Sequence, residues 1–177
     1  MRVIAGEFRR RLLKSLPGMA TRPTPDRLRE TMFNILQTRL EGVPFVDAYA
    51  GTGAVGIEAL SRGASPVVFI ERSRAAAQVI KDNLASLGAL GRARLIHGSV
   101  GTYLSSQPAG IVFLDPPYTM PEEYETAFVR LAKNPPELVV VQHATKQAMP
   151  EEYPGFHRVR VVKQGENSLA FYERTVE

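Results

Sequence analysis

Short, continuous apolar segments alternate with segments of helical periodicity along most of the chain. Such apolar segments are typical of parallel strands that are buried on both faces, with the intervening helices covering the sheet. The last two segments are joined at Gly165 without a helix between them, so we expect an antiparallel pair at the edge. The sequence therefore predicts a doubly wound α/β fold with a mostly parallel, seven-stranded sheet. The predicted strands are PFVDAYA, PVVFIE, RARLIH, IVFLD, ELVVVQH, FHRVRVVKQ and SLAFYER, with helices at 22–40, 54–62, 73–88 and 121–133 and a helical turn near 99–105.

Length and residue usage exclude several classes of protein. A chain of 177 residues suits one ordinary domain, and the absence of cysteine excludes disulfides, thiolate nucleophiles and cysteine metal sites. The three histidines lack metal-ligand spacing, so we expect no metal. No apolar run approaches the roughly 18 residues that a membrane span needs, and the N-terminus is too charged for a signal peptide. We expect a cytoplasmic protein that does not bind a membrane.

The first 30 residues carry most of the positive charge. They contain eight basic and three acidic side chains, whereas the remaining 147 residues contain 14 basic and 15 acidic side chains. A basic segment on a nearly neutral body is typical of proteins that bind a polyanion, although such a segment can also be merely solvated. We treat residues 1–42 as a basic extension, an arm or hairpin followed by a helix, and residues 43–177 as the main domain. The candidate phosphate contacts are Arg9, Arg10, Arg11, Arg22 and Arg27.

The segment AGTGAVG follows the first predicted strand and has a G-x-G-x-x-G pattern at Gly51, Gly53 and Gly56. Glycines at these positions let the backbone approach a ligand, and the start of the next helix offers N–H groups. Glu71 lies 20 residues after Gly51, at the end of the next strand, where a carboxylate can accept hydrogen bonds from both hydroxyls of a ribose. The alternative is that Glu71 is only an exposed charge at a strand end. Together the features predict a cofactor that contains a nucleoside.

Asp47 bears on the choice between a dinucleotide and S-adenosylmethionine. It precedes Gly51 by four residues and would place a carboxylate near the centre of the cofactor. That charge would repel a pyrophosphate and attract an α-ammonium group. Asp47 could instead bond only to N–H groups of the loop, so it favours S-adenosylmethionine without deciding the matter.

The segment IVFLDPPYTM ends an apolar strand with a carboxylate, two prolines and an aromatic ring. A residue before proline is driven into an extended conformation, so Asp115 and Pro116 should form a rigid lip. On this lip Asp115 and the Pro116 carbonyl could accept both hydrogens of an exocyclic amine, while Tyr118 stacks on the ring that carries the amine. Drawing on both N–H groups would make the nitrogen a better nucleophile toward a methyl sulfonium. The alternative is a turn that contains two incidental prolines.

At these residues the sequence resembles a known family. DAYAGTGAVGIEAL and DPPY look like the class I S-adenosylmethionine-dependent amino-methyltransferases, whose sheet is Rossmann-like. Together with RPTPDRLRETMFNIL, RRRLLK and GENSLAFYER they resemble the RsmD family, which methylates N2 of guanine 966 in 16S ribosomal RNA. The resemblance implies that the arm and the 22–29 segment hold RNA and that residues 115–118 hold the guanine. It implies that the cofactor is bound by Asp47, Gly51, Gly53, Glu71, Arg72, Ser99 and Val100. Many relatives have an acidic or amide side chain near Ser99 to bind the adenine amino group, whereas this chain has a hydroxyl there.

Three alternative functions remain open at this point. A nicotinamide-dependent oxidoreductase would use the glycine loop but would leave DPPY without a role. A non-catalytic RNA-binding module would bind RNA but not S-adenosylmethionine. A DNA amino-methyltransferase shares DPPY but usually needs an additional domain to recognise its target. The favoured partner is 16S ribosomal RNA, free or in a small-subunit assembly particle, and we expect a monomer.

Overall fold

The computed structural model describes residues 1–17 and 25–176 of the chain. From Phe45 to Ala144 the described residues alternate between strands and helices as predicted, and the strands after Ala144 follow one another without a helix. The helices are α1 (Asp26–Leu36), α2 (Ala54–Ser61), α3 (Arg74–Ser86), α4 (Val100–Tyr103) and α5 (Glu122–Leu131). The strands are β1 (Phe45–Asp47), β2 (Val67–Glu71), β3 (Ala93–His97), β4 (Ile111–Leu114), β5 (Leu138–Ala144), β6 (Glu152–Tyr153), β7 (Phe156–Gln164) and β8 (Asn167–Arg174). None of the helices in these ranges combines the length and apolarity that crossing a bilayer would require.

The strands form one sheet in the order β3-β2-β1-β4-β5-β8-β7-β6. The first five are mutually parallel, and β8 pairs antiparallel with β5 and β7. The chain runs outward from β1 through β2 to β3 and then returns to the other side of β1 as β4. The strand order therefore reverses between β1 and β4, and ligands of doubly wound sheets bind beyond the carboxyl ends of strands at such a point.

The sheet has one more strand among the described residues than the seven that were predicted. Strand β6 contains only Glu152 and Tyr153, which pair with the start of β7. Two residues between prolines have no alternating pattern, so the sequence does not indicate a strand here. The Tyr153 ring stacks on Phe128 of α5 at a centroid distance of 3.9 Å, and this packing holds the short strand in place.

The central strands β1, β2, β4 and β5 are buried on both faces, as their continuous apolar runs predict, whereas β3 and β7 are largely part-exposed or exposed. Phe45 and Phe113 belong to a core cluster beneath α1, α2 and α3. Val46, which follows Phe45, and Val112, which precedes Phe113, belong to a second cluster beneath α4 and α5. Successive side chains of a strand point to opposite faces, so one apolar run supplies both clusters.

The N-terminal arm is a hairpin-like loop that packs on α2. An antiparallel bridge joins Arg2 to Leu12 and closes the loop. The buried carboxylate of Glu58 accepts hydrogen bonds from the Ile4 and Ala5 N–H groups at 2.8 and 3.0 Å. Apolar side chains of the arm, among them Phe8, enter the same core cluster as α1 and α2. The arm is therefore fixed to the body of the protein through its backbone and its apolar side chains, while its arginines remain at the surface.

Candidate active site

A cleft with a volume of about 880 Å³ opens beyond the carboxyl ends of β1, β2 and β4. It lies where the strand order reverses, and its volume is in the range usual for small-molecule sites, roughly 300–1,000 Å³. Most of the predicted cofactor residues line it, together with Asp115 of the proposed base-binding lip. The lining residues from that prediction are Asp47, Gly51, Glu71, Arg72, Ser99, Val100 and Asp115, whereas Gly53, Pro116 and Tyr118 lie outside the lining.

The glycine loop has the backbone conformation that requires glycine. Gly51 and Gly53 have positive φ angles of 58° and 84°. The Gly53 N–H donates to the Ala50 carbonyl at 2.8 Å, which tightens the turn into α2. A Cβ atom on Gly56 would overlap the Phe69 ring of β2, so the third glycine allows α2 to pack closely on the sheet. Gly53 thus shapes the loop from outside the cleft.

Glu71 is bound to the loop that it faces. One carboxylate oxygen accepts from the Gly51 N–H at 2.8 Å, and the other accepts from the Ser73 N–H at 2.7 Å. The side chain is partly exposed and lines the cleft. Because an ionised carboxylate has about four acceptor sites, these two bonds leave capacity for a ligand's hydroxyl groups. Glu71 therefore holds the loop and the start of α3 while it faces the cleft.

Asp47 is buried at the bottom of the cleft with 1% of its surface exposed. Its Oδ2 accepts from the Gly56 N–H in the first turn of α2 at 2.9 Å, which is the loop contact considered as an alternative role. Burial raises the pKa of Asp47 to about 7, the Gly56 N–H opposes this rise, and the charges of Asp115 and Glu71 add to it. A cation bound beside Asp47 would favour its ionised form.

The residues of DPPY are in different environments. Asp115 is partly exposed and lines the cleft, while Pro116 is buried. The Tyr118 side chain is 49% exposed, and its hydroxyl donates to Oδ1 of Asn167 at the start of β8 at 3.0 Å. Asp115 follows β4 directly, and β4 pairs with β1, whose last residue is Asp47. The lip and the glycine loop therefore face one cleft.

The remaining predicted cofactor residues lie on the rim beyond β2 and β3. The Ser99 hydroxyl caps α4, accepting from the Thr102 N–H at 3.2 Å and donating to the Thr102 hydroxyl at 2.8 Å. Val100 is the buried first residue of that helix. Arg72 is exposed, and its carbonyl oxygen lies 3.1 Å from Nε2 of His97. The Ser99 hydroxyl is thus used to cap α4, so the backbone groups of Ser99 are better candidates for ligand contacts than its hydroxyl.

A tyrosine–glutamate pair contributes to the cleft and was not predicted from the sequence. The Tyr49 hydroxyl donates to Oε2 of Glu123 at 2.8 Å, and both residues line the cleft. Burial, followed by the Glu123 carboxylate, raises the pKa of Tyr49. The pair ties the segment after β1 to the first turn of α5. An acidic residue at the start of a helix is ordinarily interpreted as a favourable helix-dipole contact, so nothing local marks Glu123.

Asn83 of α3 is a second residue that the sequence did not indicate. It is buried, its Nδ2 donates to the carbonyls of Thr52 and Lys14 at 3.1 and 3.2 Å, and its Oδ1 accepts from the Lys14 N–H at 2.8 Å. Thr52 belongs to the glycine loop, and Lys14 belongs to the arm. Met1 and Ser15 of the arm also line the cleft. The side-chain amide of Asn83 therefore connects the arm to the glycine loop.

The candidate RNA contacts are mostly at the surface. Arg9, Arg10, Arg11 and Arg27 are exposed, and Arg22 lies outside the described residues. The Arg11 guanidinium donates to the Ser86 carbonyl at the C-terminal end of α3 at 2.6 Å. Arg29 belonged to the segment assigned to RNA, but that assignment is wrong because its side chain is buried. There it lies 3.6 Å from the Glu58 carboxylate and donates to the Arg2 carbonyl at 2.6 Å.

Comparison with known proteins identifies the family. The family model described as Conserved hypothetical protein 95 matches residues 1–173. YlbH of Bacillus subtilis (strain 168) is 31% identical over 188 aligned positions, which cover 98% of this chain and 99% of YlbH. The chain belongs to this family, the RsmD family of methyltransferases. The membership predicted from the motifs is confirmed.

Further comparisons agree with this membership and with the fold. The ribosomal RNA small subunit methyltransferase D of Escherichia coli (strain K12) is 42% identical over 120 residues, and the alignment covers 67% of this chain and 60% of that relative. The solved structure of the yhhF protein of Escherichia coli has a TM-score of 0.86 at 32% identity, covering 98% of this chain and 97% of that chain. The predicted mostly parallel α/β sheet with an antiparallel C-terminal pair is therefore confirmed for an RsmD-family chain.

S-adenosylmethionine is the methyl donor of this methyltransferase family, and the cleft fits it. The bottom of the cleft carries a buried carboxylate at Asp47, which suits a cationic ligand, and Glu71 offers acceptor sites on its rim. Within the described ranges, no group of three His, Cys, Asp or Glu side chains is arranged to hold a metal ion.

Proposed function

We propose that this RsmD-family chain is a ribosomal RNA methyltransferase that methylates the exocyclic N2 amine of guanine 966 in 16S ribosomal RNA. One observation carries the proposal: Asp115 of the DPPY lip lines the same cleft as Asp47, Gly51 and Glu71. An acceptor for an amine and a site for a methyl donor thus lie side by side. The choice of N2 of guanine 966 as the target follows from the family resemblance.

In this proposal the cofactor residues orient a donor whose sulfonium supplies an electrophilic methyl group. Glu71 accepts hydrogen bonds from ribose hydroxyls while its bonds to the loop keep the carboxylate in place. Asp47 attracts the positive charge from the bottom of the cleft. Ser99 and Val100 contribute backbone groups near the adenine, and Arg72 covers the rim.

The lip residues hold and activate the target amine. Asp115 and the Pro116 carbonyl accept its two hydrogens, so the nitrogen lone pair is less delocalised into the guanine ring. Tyr118 stacks on the flipped base, and such stacking is sequence-tolerant because every base has a π face. Catalysis then comes mainly from alignment and hydrogen bonding, and no protein nucleophile is needed.

The N-terminal extension, residues 1–42, supplies the phosphate contacts in this proposal, with residues 43–177 as the catalytic domain. Arg9, Arg10, Arg11 and Arg27 are exposed on this extension, and Arg22 belongs to the same set. The substrate is 16S ribosomal RNA, free or in a small-subunit assembly particle, so the reaction takes place in the cytoplasm. We propose that the protein acts as a monomer.

The decisive experiment is transfer of a radiolabelled methyl group to total RNA, small-subunit particles and DNA side by side, followed by identification of the modified base. We expect N2-methylguanosine at one site in RNA or particles and no label in DNA. Asp115→Asn serves as the matched inactive enzyme. Label in DNA alone would instead indicate a DNA amino-methyltransferase. RNA binding without cofactor binding or label would indicate a non-catalytic module.

A further inference from the structure

We propose that Asn167, at the turn between β7 and β8, is a positioning residue that orients the Tyr118 ring for the target base. The inference rests on the stacking role given to Tyr118 in the proposed function. Neither the motif DPPY nor the family comparison assigns a role to Asn167. The observation that supports it is the hydrogen bond from the Tyr118 hydroxyl to Oδ1 of Asn167, which joins residues 49 positions apart.

The Tyr118 ring lies outside the regular secondary structure. It belongs to the irregular segment between β4 and α5, and nearly half of its side chain is exposed. An exposed aromatic side chain on a loop can change rotamer on a picosecond to nanosecond timescale. A ring that must receive a flipped base is more effective when it is already held in one orientation, since ordering it during binding costs affinity.

Asn167 is a rigid acceptor. It is the first residue of β8 and pairs with Ala144 of β5 and with Gln164 of β7. The two-residue turn before it begins with Gly165 at a φ of 63°, a conformation that glycine adopts without strain. The Asn167 backbone is therefore held on both sides by strands.

The turn is also bonded to the segment after β5. The Thr145 N–H donates to the Glu166 carbonyl at 2.8 Å, and the Thr145 hydroxyl donates to the Gly165 carbonyl at 2.9 Å. That hydroxyl also lies 2.8 Å from the Ser168 hydroxyl. These contacts fix the end of the hairpin, so the Tyr118 hydroxyl has a stationary partner.

The same end of the hairpin reaches the basic extension. Nε2 of Gln164 donates to the Thr31 hydroxyl of α1 at 2.6 Å, and that hydroxyl donates to the Arg27 carbonyl at 3.0 Å. Asn167 therefore lies on a turn that contacts both the lip for the base and the helix that carries Arg27. The hairpin fixes the lip relative to a proposed phosphate contact.

The test compares Asn167→Leu, which removes the acceptor, with Asn167→Asp, which keeps it. Glu166→Gln is the matched control, because that exposed neighbour uses only its backbone in the turn contacts. Asn167→Leu should lower kcat/KM for RNA roughly 2- to 10-fold, the effect of one net hydrogen bond, with unchanged cofactor affinity and melting temperature. Asn167→Leu should have no further effect in a Tyr118→Phe protein. Full activity of Asn167→Leu, or additive losses in the double variant, would overturn the proposal.

A second readout does not depend on methyl transfer. The ¹³C signal of the Tyr118 ring carbon that bears the hydroxyl can be identified by its disappearance in Tyr118→Phe. This signal should shift in Asn167→Leu, stay near its original position in Asn167→Asp and not change in Glu166→Gln. An unshifted signal in Asn167→Leu would refute the positioning role even if the enzyme methylates RNA. A shifted signal in a protein without methyl transfer would support the contact and would contradict only the proposed function.

Discussion

The Glu71 carboxylate accepts a hydrogen bond from the Gly51 N–H at 2.8 Å, between the ends of the neighbouring strands β2 and β1. The residue predicted to bind a ribose therefore also shapes the loop over which the cofactor is proposed to lie. The carboxylate orients the loop, and the loop in turn fixes the carboxylate. This dual role also affects how substitutions of Glu71 should be interpreted.

Replacing Glu71 by Ala should weaken S-adenosylmethionine binding at least about tenfold, because hydrogen bonds to a charged group contribute roughly 1.5–3 kcal/mol each. Glu71→Gln keeps one acceptor oxygen and should lose less affinity. Calorimetric titration measures both, with the exposed Glu122→Ala as the control, since Glu122 lies outside the cleft lining. Unchanged affinity in Glu71→Ala would remove this residue from the cofactor site.

Cofactor affinity should increase as the pH rises through about 7, where the pKa of Asp47 lies. Below that pH the buried carboxyl is protonated and attracts a cationic ligand less strongly. Titrations between pH 5.5 and pH 8.5, roughly spanning this pKa, should show the increase in the parent protein and a flat profile in Asp47→Asn. A pH dependence that persists in Asp47→Asn would assign it to another group.

The same pKa predicts how Asp47 affects the stability of the ligand-free protein. The pKa is about 7 in the folded state against a usual value of 3.8, so the folded protein retains this proton over an interval in which the unfolded chain releases it. The contribution of Asp47 to stability therefore declines as the pH rises from about 4 to about 7. Asp47→Asn should remove that decline and raise the melting temperature above pH 7.

Asp115→Asn should reduce turnover strongly while cofactor affinity is largely retained. The amide has nearly the same shape, but it replaces a charged acceptor for the amine by a neutral one that also carries donors. Single-turnover methyl transfer measures the chemical step, and calorimetry measures cofactor binding. The site assignment fails if both quantities fall together or if turnover is unaffected.

Replacing Arg9, Arg10 and Arg11 together by Ala should weaken RNA binding and reduce the slope of log affinity against log salt by up to about two units. Each phosphate contact contributes about 0.7–0.9 to that slope. Because the Arg11 guanidinium also bonds to the Ser86 carbonyl, we expect the slope to fall by less than three full phosphate contacts would give. Cofactor affinity should not change, because the arm backbone that meets Asn83 is retained. The exposed Lys133→Ala is a control for charge alone. If the triple variant has the same RNA affinity and the same salt slope as the parent protein, the arm is merely solvated.

Arg29 and Arg27 lie in one helix and should behave in opposite ways. Arg29→Ala removes a fully buried side chain that contacts Glu58 and the arm, so it should lower the melting temperature by roughly 5 °C or more. Arg27→Ala removes an exposed cation and should leave the melting temperature unchanged while weakening RNA binding. Thermal unfolding and RNA titration of both variants check the pair. A stable Arg29→Ala protein with weakened RNA binding would restore Arg29 as an RNA contact.

The sequence by itself determined every described strand except β6, together with the helices, the glycine loop and the DPPY lip. These features depend on local chemistry: apolar periodicity, the conformational freedom of glycine and the restriction that proline places on its neighbour. Parallel strands have their carboxyl ends at one edge, so the pattern also predicted that Asp47, Glu71 and Asp115 would lie near one cleft. The family motifs then indicated the reaction, which is methyl transfer from S-adenosylmethionine to an amine.

Only the tertiary structure decided which distant residues support that cleft. Asn83 meets Thr52 at a separation of 31 residues, Glu58 meets Ile4 at 54, and Tyr118 meets Asn167 at 49. An asparagine or a glutamate in a helix has the same local sequence signal whether it is solvated or buried against a loop. The same limit caused the wrong expectation for Arg29, since burial depends on how the arm, α1 and α2 pack together. Local preferences place the chemical groups on their strands and loops, but the contacts that hold those groups in position form only when distant segments share one core.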